Sequence, residues 1–80
     1  MAAQATITEK IVMCVGENIL KLRKKKKFTQ KELAELVGVS YPRISEIEKG
    51  NGNPTLSLLS RIAEALETTV SKLTREPVAK

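Results

Sequence analysis

Apolar residues recur every three or four positions along most of the chain, which is the spacing of one buried face of an α-helix. In the first third of the sequence they are Ile7, Ile11, Val15, Ile19 and Leu22. Thr6 and Glu9 have the spacing of a capping box, with Thr8 as an alternative cap. Segment 11–15 alone is also compatible with a strand, but the helical period continues beyond it. We therefore expect a first helix that ends near Lys26.

Two short helices separated by a tight turn are predicted next. Thr29 and Glu32 form a second capping box, and Gly38 can end that helix in the left-handed conformation. Ser40 is a suitable N-cap for the following helix, which Gly50 ends. The apolar positions expected to face the core in this pair are Leu33, Ala34, Leu36, Val37, Ile44 and Ile47.

A loop and two further helices complete the pattern. Residues 51–54 have the loop sequence Asn-Gly-Asn-Pro, and either Thr55 or Ser57 can cap the helix that follows. Thr69 is expected to cap a short last helix and Pro77 to end it. The apolar positions of these two helices are Leu56, Leu59, Ile62, Ala63, Leu66, Val70 and Leu73. The pattern therefore predicts an all-α chain with five helices.

The chain has 80 residues, which suits one domain. We expect that domain over 6–75, with a flexible N-terminus at 1–5 and a C-terminal tail at 76–80. The sequence has no Trp, one Phe and one Tyr, so the core must be built from aliphatic side chains.

The formal charge is +5, and seven of the fourteen basic residues lie within 21–31. This balance favours a polyanionic partner, either nucleic acid or an anionic membrane surface. Cys14 is the single cysteine, so no internal disulfide can form, and His is absent. The sequence has no histidine, no catalytic nucleophile paired with a general base, no phosphate-binding Gly loop and no metal cluster. These absences argue against an enzyme, and no cofactor or metal is expected. No segment is long enough to span a bilayer and no secretory signal is evident, so we expect a cytoplasmic protein.

The segments 30–37 and 41–49, joined by a turn at Gly38, have the helix-turn-helix pattern. In such a pair one helix crosses the phosphate backbone and the other lies in the major groove of double-stranded DNA. The stretches that carry a wider resemblance are Gly16-Glu17-Asn18-Ile19, Leu22-Arg23, Thr29-Gln30-Lys31-Glu32-Leu33-Ala34, Val37-Gly38-Val39-Ser40, 44–50, Asn53-Pro54-Thr55, Leu59, 63–66 and Leu73. This ordered series resembles the Cro/repressor-type (lambda-repressor-like, Xre) helix-turn-helix proteins. The resemblance implies a compact five-helix bundle that binds palindromic operators as a homodimer.

The resemblance also implies roles at individual positions. Gln30, at the start of the second helix, would contact phosphate and support the recognition helix, and Ser40 would cap that helix and touch the backbone. Four positions would face bases and four would lie near phosphates. The base-facing residues would be Tyr41, Pro42, Arg43 and Glu46, and the phosphate-contacting residues Ser45, Lys49, Asn51 and Asn53.

The chemistry of the base-facing residues differs. Arg43 is the strongest candidate base reader, because a guanidinium can bind guanine O6 and N7 together. Tyr41 can offer a hydroxyl or ring contact, whereas Pro42 can offer only apolar contact. Glu46 can accept from a cytosine amino group, orient Arg43 on the same helix face, or remain solvated.

Other features bear on the framework. The resemblance implies that Arg23 pairs with Glu48 and links the first and third helices. Lys27 and Glu67 stand where glycine is common in the family, and each would carry some strain if its backbone is left-handed. The basic run 23–27 is either a solvated helix end or a phosphate contact.

The dimer surface has two candidates. Val70 and Leu73 near the last helix belong either to the core or to the dimer seam that the resemblance implies, and the apolar extension 7–12 is the second candidate. The leading hypothesis is a sequence-specific, DNA-binding transcriptional regulator. An antitoxin-type protein-binding module with secondary DNA binding is the alternative. A membrane-surface role is disfavoured because the basic helix lacks aromatic anchors, and no small-molecule ligand is indicated.

Overall fold

Five helices account for most of the chain between Thr6 and Glu76, the residues that this computed structural model describes. The helices are α1 (Ile7–Lys25), α2 (Gln30–Val37), α3 (Tyr41–Glu48), α4 (Leu56–Ala65) and α5 (Val70–Thr74). The all-α, five-helix prediction is confirmed, and the strand alternative for 11–15 is wrong because those residues lie inside α1. The predicted flexible residues 1–5, the stop at Pro77 and most of the predicted tail lie outside the described residues.

Four of the five helices begin at a threonine whose hydroxyl accepts a hydrogen bond from a backbone N–H of the first turn. The four N-caps are Thr6, Thr29, Thr55 and Thr69, with oxygen-to-nitrogen distances of 3.0 to 3.1 Å. Thr6 and Thr55 therefore cap α1 and α4, and the alternatives Thr8 and Ser57 do not. Each such cap contributes about 1 kcal/mol, which helps short helices to start at fixed positions.

Helix ends use left-handed residues, two of which are not glycine. Gly38 and Gly50 have φ angles of 78° and 81°, and they close α2 and α3 as predicted. Lys27 and Glu67 follow the ends of α1 and α4 with φ angles of 64° and 58°. Because a Cβ crowds this conformation, both residues are strained relative to glycine, as the sequence led us to expect.

The core is aliphatic and lies where all five helices meet. Its buried residues are Val15, Ile19, Leu33, Ala34, Val37, Ile44, Ile47, Leu58, Leu59, Ile62, Ala63, Leu66 and Leu73. The apolar pattern does not match burial at four positions, because Ile7, Ile11, Leu36 and Leu56 are 78%, 43%, 59% and 76% exposed. Periodicity gives the direction of a side chain around its helix, but it does not say whether a neighbouring helix covers that point. Leu58, which we did not predict, is buried instead.

Helix α1 lies against α3 and α5, and α2 lies against α3 and α4. The contact with α3 depends on Gly16, since a Cβ built there would lie 2.2 Å from the carbonyl oxygen of Ile47. The contact with α5 depends on Asn18, whose side-chain amide donates to the carbonyls of Leu73 and Arg75 at 2.7 Å each. Within residues 6–76, none of the helices is long and apolar enough to cross a membrane.

Candidate nucleic-acid interface

Helix α3 has one buried face and one open face. Ile44 and Ile47 point into the core and are fully buried. On the remaining surface the side chains that sequence reasoning selected are exposed or half-buried. These are Tyr41, Pro42, Glu46 and Lys49, which are exposed, and Arg43 and Ser45, which are half-buried. An α-helix with its side chains is about 10–12 Å across, close to the width of the B-DNA major groove.

Ser40 is the N-cap residue of α3, but its hydroxyl makes no cap hydrogen bond. A serine N-cap normally accepts from the second or third residue of the helix. The second residue of α3 is Pro42, which has no N–H, and the N–H of Arg43 bonds to the carbonyl of Ser40 at 3.1 Å. The exposed hydroxyl of Ser40 is therefore available to an outside partner, beside the first turn of α3.

A buried ion pair fixes the end of α3 to α1. Arg23 Nε donates to Glu48 Oε2 at 2.6 Å, and Arg23 Nη2 donates to Glu48 Oε1 at 3.0 Å. The Glu48 side chain is 3% exposed. Arg23 also holds the chain after α1 in place, because its Nη1 donates to the carbonyl of Phe28 at 2.8 Å. The pairing of Arg23 with Glu48 is confirmed.

Gln30 joins α2 to the same carboxylate. Its Nε2 donates to Glu48 Oε1 at 2.7 Å, so one side chain of α3 is held by residues from both α1 and α2. This contact gives Gln30 the supporting position expected for it at the start of α2. Because Glu48 is buried with its charge paired, loss of either charged partner would be costly.

Arg43 does not pair with Glu46 in this structure, so Glu46 does not orient the Arg43 side chain here. Among the described residues, the ion pairs within 4.0 Å do not include Arg43. Its Nη1 instead lies beside the following loop, 3.6 Å from the point that a Cβ on Gly52 would occupy. Gly52 is buried, and the guanidinium is therefore folded along α3 toward the loop.

The loop after α3 extends the same surface. The N–H of Gly50 donates to Ile47 and that of Asn51 to Glu46, both at 3.0 Å, which closes the end of α3. Asn51 and Asn53 are both exposed on this loop. Nine of the ten predicted site residues thus lie in one continuous segment, 40–53, and the tenth, Gln30, touches the segment through Glu48.

Sequence reasoning missed Arg61. This residue of α4 donates from Nη1 to the carbonyl of Val37 at 3.0 Å and so closes the end of α2 at the turn before α3. A cation at a helix C-terminus also interacts favourably with the helix dipole. No local signal indicates the contact, because its two residues are 24 positions apart.

Asn18 was part of the family resemblance but had no predicted role. Asparagine is a poor helix former, so its position inside α1 is a weak indication that its side chain makes a hydrogen bond to another element. Its three acceptors all lie beyond position 71, and no pattern within α1 identifies them.

Lys26 and Glu67 form an exposed ion pair between the end of α1 and the end of α4. The hydrogen bond from Lys26, and then its charge, lower the pKa of Glu67 below the ordinary value of 4.5. This pair is separate from the network around Glu48.

Helices α2 and α3 are short and are joined by a turn at Gly38. One face of α3 is exposed, and buried contacts fix its other side. This arrangement defines a helix-turn-helix protein. The sequence matches the family HTH_3, described as Helix-turn-helix, over residues 19–73. The chain belongs to this family.

Curated relatives include transcriptional regulators and control proteins of similar sequence. The chain is 41% identical over 64 residues to the immunity repressor protein of Bacillus phage phi105, covering 80% of this chain and 44% of the repressor. It is 37% identical over 59 residues to the control protein C.SmaI of Serratia marcescens, covering 74% of this chain and 70% of that protein. The chain thus spans less than half of the phage repressor and most of the control protein.

Solved structures share the fold. One is the master regulator for biofilm formation SinR in complex with DNA, with a TM-score of 0.73, 32% identity, and coverage of 76% of this chain and 98% of that chain. Another is hydroxypropylphosphonic acid epoxidase from S. wedmorenis, with a TM-score of 0.79, 30% identity, and coverage of 85% of this chain and 36% of the enzyme. The fold therefore occurs both in a DNA-binding regulator and as a part of a larger enzyme.

Proposed function

We propose that the chain is a transcriptional regulator that binds double-stranded DNA by placing α3 in the major groove. The observation that carries this proposal is the open face of α3, held from behind by the contacts of Arg23 and Gln30 with Glu48. When buried contacts hold a helix in position, its outer side chains are not needed for the fold and can contact a partner. The structure of SinR with DNA, at 32% identity, supports this reading of the surface.

In this proposal the open face divides into base-reading and phosphate-contacting residues. Arg43 reads a guanine through O6 and N7, and leaves its position beside Gly52 to do so. Tyr41, Pro42 and Glu46 contact the neighbouring bases. The phosphate contacts are made by Gln30, Ser40, Ser45, Lys49, Asn51 and Asn53. The free hydroxyl of Ser40 favours this assignment for that residue.

We further propose that two copies bind a palindromic operator, with half-sites about one helical turn, ~34 Å, apart. The structure bears on where the copies meet. Leu73 of α5 is fully buried in the core of its own chain, and Val70 is half-buried. Ile7 and Ile11, one turn apart on α1, are 78% and 43% exposed. The first turns of α1 are therefore the stronger apolar candidate for the contact, with α5 contributing its outer side.

Selection of bound sequences from a random DNA pool tests the proposal. The wild-type chain should select a palindrome, and Arg43→Ala should lose preference at one position in each half-site, a discrimination of about 1–3 kcal/mol. Selection of no preferred sequence by the wild type would refute sequence-specific binding. Uniform weakening by Arg43→Ala with the preference intact would assign Arg43 to phosphate instead.

The dimer is tested separately by sedimentation equilibrium with and without the selected DNA. Ile7→Ser and Ile11→Ser should shift the chain toward monomer, whereas Leu36→Ser, another exposed apolar residue, should not. A wild-type chain that stays monomeric both free and on the full selected palindrome contradicts the dimer but leaves the mode of DNA contact in place. The antitoxin-type alternative stays a prediction.

A further inference from the structure

The first two turns of α1 lie outside the core. Helix α1 begins at Ile7, but its first buried residue is Val15. The capping box of Thr6 and Glu9 fixes the start of the helix through hydrogen bonds of 2.9 and 3.0 Å. These turns are therefore held as helix without contributing a buried side chain, and packing of the core does not account for them.

The same turns approach the loop that follows α3. A Cβ built on Gly50 would lie 3.2 Å from Met13 Cγ and 3.5 Å from Met13 Cα, so α1 passes close beside this glycine. Nearer the start of α1, the helix and the loop are separated by a groove of about 300 Å³. The groove is lined by Thr8, Glu9, Val12 and residues 50–53. Met13 is therefore a point at which α1 supports the loop.

Met13 makes this contact from outside the core. Its side chain is 59% exposed, and it is not one of the buried core residues. The Met13 atoms nearest to the Cβ position of Gly50 are Cγ, Cα and Cβ. Truncation of Met13 to alanine would therefore remove the nearest atom, Cγ, without opening a cavity in the core.

The loop needs such support because its outward side chains depend on the position of its backbone. Gly50 has a φ of 81°, and the missing Cβ also allows Met13 to approach it. Asn51 and Asn53 follow directly and are both exposed. A short amide side chain reaches only a partner close to its own backbone. A shift of the loop at Gly50 would therefore move both amides relative to a partner of α3.

We propose that Met13 is a positioning residue for DNA binding, which acts through Gly50 to hold the loop where Asn51 and Asn53 reach the DNA backbone. The inference rests on the proposed function, in which both asparagines contact phosphate. It gives the first two turns of α1 a role within a single copy of the chain. This role is separate from the contact between copies proposed for the exposed isoleucines of the same turns.

Met13→Ala tests the inference, with Leu36→Ala as the matched control. Both side chains are 59% exposed, so the two substitutions should change the urea midpoint to a similar, small extent. Met13→Ala should weaken binding to DNA with a single half-site about fivefold, equivalent to one lost hydrogen bond, whereas Leu36→Ala should not. Met13→Leu keeps a Cγ and should restore the wild-type affinity. Wild-type affinity in Met13→Ala would overturn the inference.

Removal of the loop amides separates positioning from a general loss of structure. In a chain that already carries Asn51→Ala and Asn53→Ala, adding Met13→Ala should cause no further loss of affinity, because the contacts that Met13 positions are gone. An undiminished further loss in this background would show that Met13 acts on another part of the interface. That result would also overturn the inference.

Hydrogen exchange tests the same contact in the absence of DNA. The N–H of Asn51 donates to the carbonyl of Glu46, and its exchange should be severalfold faster in Met13→Ala than in the wild type or in Leu36→Ala. Unchanged exchange at Asn51 in Met13→Ala would refute the inference. A wild-type chain that selects no DNA sequence would instead refute the proposed function, and the exchange rate would still decide whether Met13 holds the loop.

Discussion

Replacement of Gly16 by alanine should weaken the contact between α1 and the end of α3. A Cβ at this position would lie 2.2 Å from the carbonyl oxygen of Ile47 and 3.0 Å from that of Glu48. A carbon and a carbonyl oxygen normally stay about 3.3 Å apart, so the two helices would have to separate by about 1 Å. Both obstructing atoms are backbone atoms of α3, and a side-chain rotation cannot relieve the clash.

The magnitude follows from two opposing effects. Forcing extra volume into a packed contact costs about 1–3 kcal/mol, and a backbone obstruction belongs at the upper end of that range. Alanine inside a helix recovers about 1 kcal/mol relative to glycine. Gly16→Ala should therefore destabilise the fold by about 2 kcal/mol, which for a domain of this size lowers Tm by roughly 8–16 °C.

Urea unfolding followed by far-UV circular dichroism measures this difference. Lys10→Ala, an exposed substitution on the same helix, is the control and should change stability by no more than about 0.5 kcal/mol. Binding to operator DNA should weaken in Gly16→Ala, because the displaced α3 end carries Glu48. A Gly16→Ala variant that is more stable than the wild type, as helix propensity alone predicts, would refute the close approach of the two helices.

Three further predictions concern polar contacts. Arg23→Met should destabilise the fold by about 3–5 kcal/mol, because it leaves the buried carboxylate of Glu48 unpaired. In a double-mutant cycle measured by urea unfolding, adding Glu48→Gln should restore part of this loss. Additive losses of the two substitutions would contradict the pairing. Arg61→Met should cost about 1 kcal/mol by removing the hydrogen bond to the last carbonyl of α2, and hydrogen exchange should show faster opening there than in α1. The folded-state pKa of Glu67 is lowered by Lys26, so the stability gained from their pair is complete above the unfolded value of 4.5 and is lost as pH falls through the lowered pKa. The difference in urea midpoint between wild type and Glu67→Gln should therefore be present near neutral pH and vanish in acid, and a difference that persists in acid would contradict the assignment.

Local features of the fold were predictable from the sequence because they depend on residues a few positions apart. The threonine caps at Thr6, Thr29 and Thr69 and the glycine at Gly38 all act within one helical turn. Their positions fix where the helices start and stop. The surface of α3 followed from the same local reasoning, since two isoleucines define its buried face and leave the other side open.

Features that depend on distant residues were not predictable from the pattern. The neighbours of Gly16 lie on α3, and those of Asn18 lie at the end of α5, so nothing near either residue indicates them. Arg61 is a similar case. Leu36 and Leu56 show the converse error, because an apolar side chain on the expected face stays exposed when no neighbouring helix reaches it.

The contacts of Arg23 and Gln30 with Glu48 have an evolutionary consequence. Because Ile44, Ile47 and Glu48 attach α3 to the rest of the molecule, the outward side chains are free to vary without loss of the fold. Tyr41 and Glu46 can therefore be exchanged one at a time while every intermediate remains folded. Under the proposed function, a lineage built on this scaffold would acquire new DNA targets by single substitutions, and those targets would diverge faster than the structure.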